Sequence, residues 1–368
     1  MRPPPRGRGR SGVSPGRRAA RTGDVIQRSG LPAACLALAL GACAHGPPGR
    51  VEKDVVFTEY PASARTDEIL RRIMTPLELE RARRALASRG AEVAEHPLDL
   101  SKERFTIYVP AGAPPPRGYG LLVFVAPWEQ ATEPRRWRPP LDRHGVIFVS
   151  ASRSGNESKA FERRLPLALL AAENVRARYP VDPARVYVGG VSGGARVAQA
   201  VALAFPDVFR GVLLTVGSGP IGGRLGLRVP PAELFRRFQE TRVVLATGAD
   251  DAAAIEDDER TRASLRSWCV FDVQVIARPG LGHEPLDAHG LDLALEALDR
   301  RPATDAAALA RCDDGLARSV SARLAAAEAA LAAGDRKGAR ARLDDLDAEY
   351  GGLAAPASLA LDARLEAP

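Results

Sequence analysis

Short apolar runs punctuated by glycine, proline and aspartate recur through the middle of the chain and alternate with longer helix-forming stretches. Residues 104–109, 120–126, 145–150, 186–188, 211–216, 242–247 and 271–276 read as strands, because they are rich in β-branched and aromatic side chains and are bounded by turn residues. Residues 165–179 and 195–205 lie between them and read as helices. This alternation predicts an α/β fold, a mainly parallel sheet with helices on both faces. Before it, residues 46–51 read as a tether and residues 66–89 as one or two amphipathic helices. Past residue 301 the chain turns to Ala, Leu, Arg and Asp at helical spacing, which predicts helices over 316–333 and 335–350 around Gly334. The boundaries that follow are a leader at 1–43, a tether and helical segment at 44–95, the α/β domain at 96–300 and a C-terminal helical hairpin at 301–368.

The sharpest local signal is Arg185-Val-Tyr-Val-Gly-Gly-Val-Ser-Gly-Gly-Ala-Arg196. It reads as strand, tight turn and helix start, with Ser192 at the apex of a Gly-x-Ser-x-Gly. The free N–H groups and positive end of the following helix favour negative charge beside that hydroxyl, as an acyl-transfer nucleophile requires. A nucleophile on such a turn is followed in chain order by an acid and then a histidine, each after a later strand. Gly248-Ala-Asp-Asp251 follows the strand at 242–247, and Arg278-Pro-Gly-Leu-Gly-His283 follows the strand at 271–276. Asp251 is taken as the acid and His283 as the base. A neutral imidazole accepts the serine proton, and a carboxylate fixes its tautomer. Asp250 fits the same role, and an aspartate pair after a strand also serves as a turn or helix cap. Ser154 and Asn156, in the loop after the strand at 145–150, lie where open α/β sheets place ligand-binding loops, and serve there either as substrate contacts or as turn residues.

The stretch Asp182 to Arg196, with Phe205-Pro-Asp-Val-Phe209 and Gly-Leu-Gly-His283, resembles the polyhydroxybutyrate-depolymerase and feruloyl-esterase branch of the α/β-hydrolases, over roughly residues 101–300. The resemblance implies Ser192 as nucleophile, Asp251 as acid and His283 as base, with the Gly193 N–H as half of the oxyanion hole. In that branch the strand at 120–126 runs into a His-Gly pair whose loop gives the second donor. Here Pro127-Trp128 follows instead. Proline has no N–H, so the second donor falls to the Trp128 backbone. Farther on, Ala-Gly-Asp-Arg-Lys-Gly-Ala339 resembles half of a tetratricopeptide unit, and one hairpin is too little for a solenoid. These helices either pack on the α/β domain or meet a protein partner.

Charge changes the picture only once it is located. The formal net charge of +7 is matched by eight arginines and one aspartate before Cys43, so the remainder is neutral and offers no basic, aromatic-interleaved patch for nucleic acid. That Arg/Pro/Gly-rich leader runs into an apolar stretch at 31–40, too short to span a bilayer. Leu40-Gly-Ala-Cys43 resembles a bacterial lipobox, which implies lipidation at Cys43 and a place outside the cytoplasm on a membrane, with Ala44 pointing to the outer membrane; the other readings are a cleaved secretory signal, leaving a periplasmic or secreted chain, or a buried apolar segment. Cys269 and Cys312 then remain, either as one disulfide or as two thiols; neither has a metal-ligand spacing. The expectation is a metal-independent serine esterase acting on an ester-containing small molecule or polymer, with no cofactor. The alternative is a surface lipoprotein that keeps the fold as a binding module.

Overall fold

A computed structural model describes residues 47–300 and 305–367. The stretch read as a leader, with the lipobox-like Leu40-Gly-Ala-Cys43, lies outside the described residues. Eight strands form one sheet: β1 (Arg50–Val55), β2 (Phe105–Val109), β3 (Tyr119–Val125), β4 (Val146–Ala151), β5 (Val181–Val191), β6 (Gly211–Thr215), β7 (Arg242–Gly248) and β8 (Val273–Arg278). Their order is β1-β2-β4-β3-β5-β6-β7-β8. The pairs β1–β2 and β2–β4 are antiparallel, and every pair from β4 through β8 is parallel.

The described helices are α1 (Thr66–Ile73), α2 (Pro76–Ala87), α3 (Arg138–His144), α4 (Leu165–Arg178), α5 (Gly193–Ala204), α6 (Ala232–Phe238), α7 (Ala252–Ser267), α8 (Ala288–Asp299), α9 (Ala306–Ala332), α10 (Arg336–Tyr350) and α11 (Ala357–Glu366). The central strands are apolar on both sides because helices cover both. Leu121, Val123 and Val125 face a layer containing α1, α2, α4, α5 and α6. Leu122 and Phe124 face a second layer containing Trp137, Leu141 and the apolar side of α8. A parallel sheet buried in this way reads in sequence as continuous apolar runs.

The ends of the domain differ from expectation. Strand β1 begins inside the segment read as a tether and pairs Arg50 with Val109 at the sheet edge. Its sequence, Arg-Val-Glu-Lys-Asp-Val, carries the charges that edge strands use against further pairing, so it lacks the apolar run that marks a central strand. The C-terminal region is more than a hairpin. Helix α9 starts at Ala306, and α11 follows α10 as a third helix.

These helices pack on the α/β domain. Leu343, Leu346, Tyr350, Leu361 and Leu365 belong to the same buried cluster as α5 and α6. Asp362, 1% exposed, accepts from Arg81 at 2.7 Å and from Arg84, both on α2. Thr75 caps α2 by accepting from the Glu78 N–H at 3.0 Å and donates its hydroxyl to Asp347 on α10 at 2.6 Å. Cys269 and Cys312 form a disulfide joining the end of α7 to α9. Among the described residues no helix is long and apolar enough to cross a membrane.

Candidate active site

Strand β5 ends in a turn that projects one side chain. Ser192 has φ 53° and ψ −122°, a left-handed conformation rare for a residue with a side chain. It persists because its surroundings over-determine it. The Ser192 N–H donates to the Thr215 carbonyl of β6 at 2.8 Å, and α5 begins at the next residue. Gly190 is required on the way in, since a Cβ there would meet the backbone of Gly194 and Ala195. Although Ser192 is the N-cap of α5, its hydroxyl makes no capping bond.

That hydroxyl meets a histidine instead. Ser192 Oγ lies 2.9 Å from His283 Nε2, and His283 Nδ1 lies 2.7 Å from Asp251 Oδ2. A carboxylate only accepts, so Nδ1 carries the hydrogen and Nε2 accepts from the serine hydroxyl. Asp251 also caps α7: its Oδ1 accepts from the Ala254 N–H at 3.1 Å while Oδ2 faces the imidazole. The two roles open to an aspartate at this turn are thus held together, one on each oxygen. The Ala254 N–H first, and the His283 contact second, hold the Asp251 carboxyl below its usual range. Asp250 is exposed and makes no contact with His283; its N–H donates to the Leu281 carbonyl at 3.0 Å.

Two further features fix the histidine loop. Gly248, at the end of β7, touches the carbonyls of Leu281 and Gly282 so closely that any side chain would push the loop away. Arg278 and Asp287, at the loop's two ends, are joined by bonds of 3.2 and 2.9 Å, and Asp287 caps α8. The His283 side chain is 57% exposed and that of Asp251 13%. The imidazole therefore stands at an open surface with its orienting carboxylate largely covered.

The segment expected to supply a second oxyanion donor leaves β3 beside the elbow. Gly194 abuts the Val125 carbonyl and Ala126 so tightly that no Cβ fits between them. The next residues, Pro127 and Trp128, are half-buried. The Pro127 carbonyl accepts from the Asn156 N–H at 3.0 Å, which ties this turn to the loop after β4. Of the two candidates in that loop, Asn156 is exposed with its carbonyl oxygen against Gly193. Ser154 is 3% exposed and has almost no surface to offer a ligand, which favours the turn role over substrate contact. Sequence reading passed over Arg164, which reaches this region from a single π-helical turn (Ala160–Arg164) ahead of α4. Its Nη2 donates to the Ala126 carbonyl at 2.9 Å and its Nη1 to Asn156 Oδ1 at 3.4 Å. Among the described residues no group of three or more His, Cys, Asp or Glu side chains is placed to hold a metal ion.

The strand order, with a serine elbow between β5 and α5, defines the α/β-hydrolase fold. No family model matches the chain. A stretch of 51 residues is 41% identical to poly(3-hydroxyalkanoate) depolymerase C of Paucimonas lemoignei; it covers 14% of this chain and 11% of the depolymerase. Similar solved structures include the esterase Est2 of the Planctomycetes species Thermogutta terrifontis, with TM-score 0.41, 19% identity and coverage of 55% of this chain and 88% of that one. A ferulic acid esterase structure has TM-score 0.43 and 13% identity, covering 68% of this chain and 96% of its own.

Proposed function

We propose that the protein is a metal-independent serine hydrolase that cleaves carboxylic esters without a cofactor. The observation that carries this reading is the unbroken chain of bonds from Ser192 through His283 to Asp251, on a strained elbow at a helix N-terminus. Ser192 Oγ attacks the ester carbonyl carbon as its proton passes to His283 Nε2. The carbonyl oxygen becomes an oxyanion, held by the backbone N–H groups of Gly193 and Trp128. Collapse expels the alkoxide, which takes the proton from the imidazolium and leaves as an alcohol, with the acyl group on Ser192. Water then attacks the acyl-enzyme with His283 again as base, releasing the carboxylic acid and the free serine. Throughout, Asp251 keeps the hydrogen on Nδ1 and stabilises the imidazolium.

Support for an ester, rather than another acyl substrate, comes from the short match to a polyester depolymerase and from the sequence resemblance over residues 101–300. We also infer a lipid anchor at Cys43 that holds the domain on the outside of the cytoplasm, at a bacterial outer membrane; the lipobox-like Leu40-Gly-Ala-Cys43 supports it. The test of the chemistry is a fluorophosphonate probe with aryl-ester hydrolysis, comparing the chain with Ser192→Ala. Labelling and turnover are expected only with the serine present. Equal rates, or no labelling of either, reject the enzyme reading and leave the fold as a binding module.

A further inference from the structure

Arg164 is 4% exposed, and among the described residues no carboxylate comes within ion-pair distance of it. Its Nε is buried with no hydrogen-bond partner among the described residues. Burial pushes the guanidinium down from its usual range, opposed only by the more distant Glu129. The neighbouring Arg163 makes the contrast, since it pairs with Glu103 at 2.6 Å. Taking a guanidinium out of water without a counter-ion is among the most costly burials, and an apolar residue at the start of α4 would pack there without that cost. Charges kept under such terms cluster where a reaction uses them, and π-helical turns concentrate at the same places.

What Arg164 touches indicates the use. Nη2 bonds the carbonyl of Ala126, the residue directly before Pro127-Trp128. Nη1 reaches Asn156 Oδ1 at 3.4 Å and the Gly193 carbonyl at 3.5 Å. These acceptors belong to three segments that meet at the start of α5, around Gly193 and Gly194: the turn after β3, the elbow, and the loop after β4. The turn after β3 contains a proline that cannot donate, so the direction of the Trp128 N–H depends on how the turn is held from outside. Three bonds hold it: Arg164 on the Ala126 carbonyl ahead of the proline, the Asn156 N–H on the Pro127 carbonyl, and the Arg153 N–H on the Glu129 carbonyl at 2.6 Å just past Trp128.

Resting on the hydrolase reading above, we propose that Arg164 is a positioning residue for the oxyanion site. It fixes the Ala126 to Trp128 turn against Gly193 and presents an uncompensated positive charge that favours the tetrahedral anion over the neutral ester. Its effect then falls on the transition state and not on substrate binding. The experiment uses the full chain with Arg164→Met, Arg164→Gln and Arg164→Lys. Competent sites are counted by fluorophosphonate titration of Ser192, so that unfolded molecules drop out of the comparison. On p-nitrophenyl butyrate, kcat per titrated site is expected to fall roughly tenfold to a hundredfold in the two neutral variants, with KM within about twofold. Lysine should restore at least threefold of that loss. Affinity for an arylboronic acid, which binds as a tetrahedral anion, should fall in step with kcat. If the methionine variant yields no titratable serine, the glutamine variant decides. Neutral variants that match the unsubstituted chain in kcat per site and boronate affinity overturn the proposal while the hydrolase stands. An unsubstituted chain that neither titrates nor turns over overturns both.

Discussion

Asp251 divides its two oxygens between a helix cap and an imidazole, and the two duties respond differently to substitution. Asparagine caps a helix about as well as aspartate, but it no longer fixes the imidazole tautomer or stabilises the cation. Asp251→Asn should therefore leave thermal unfolding nearly unchanged while kcat/KM for an aryl ester falls by about 10⁴, the loss known for this change in serine proteases. Asp250→Asn, one residue away and turned to solvent, should change kcat/KM by less than about threefold. A crippling effect at 250 and a mild one at 251 would reverse the assignment. The pH profile belongs to the same pair. Because its carboxyl is held below the usual range, Asp251 stays charged to lower pH than an ordinary carboxylate, and activity should not be lost through its protonation until the pH falls below that range.

Between elements, the contact of α10 with the cap of α2 carries a charge in an awkward place. Asp347 is 5% exposed; burial, only partly offset by the Thr75 hydroxyl bond, raises its carboxyl from 3.8 to about 6. Its Oδ1 has no hydrogen-bond partner among the described residues. The folded state thus binds this proton more tightly than the unfolded chain does. The stability so gained is fully present below about pH 4 and is lost as pH rises through 6. Asp347→Asn should leave urea midpoints alike near pH 4 and make the protein about 2–3 kcal/mol more stable than the unsubstituted chain at pH 7. A less stable variant at pH 7 would show that the charged form is favoured there.

The same elements show what pattern reading reaches. The strands β3 to β7 and the helices α4 and α5 stand out because burial on both faces demands unbroken apolar sequence, and the elbow stands out because its turn demands glycine. Strand β1 does not, since an edge strand with charged residues at four of six positions looks like linker. Nor does Arg164, whose meaning lies in a missing counter-ion, a property of three-dimensional neighbours that no spacing records. The choice between Asp250 and Asp251 likewise needed coordinates, because both sit on the same turn one residue apart.

At the scale of the whole molecule, the α/β domain is bound at both ends of its sequence. Strand β1 extends the sheet at one edge, while α9 to α11 are fastened by a disulfide and by arginine–aspartate pairs to α2. The inferred anchor lies upstream of β1, and its test is metabolic labelling with palmitate. The chain should take up label and sediment with membranes, and Cys43→Ala should do neither; a soluble, unlabelled parent would remove the anchor. For a chain lipidated there, β1 sets the length of the leash. Only residues 44–49 separate Cys43 from the first residue of the sheet, so even fully extended the link reaches no more than roughly 25 Å. A protein held that closely cannot range through the surrounding fluid. If Cys43 carries the inferred lipid, the chain would patrol a thin layer at the membrane surface, its encounters governed by lateral diffusion and by whatever brings esters to that layer.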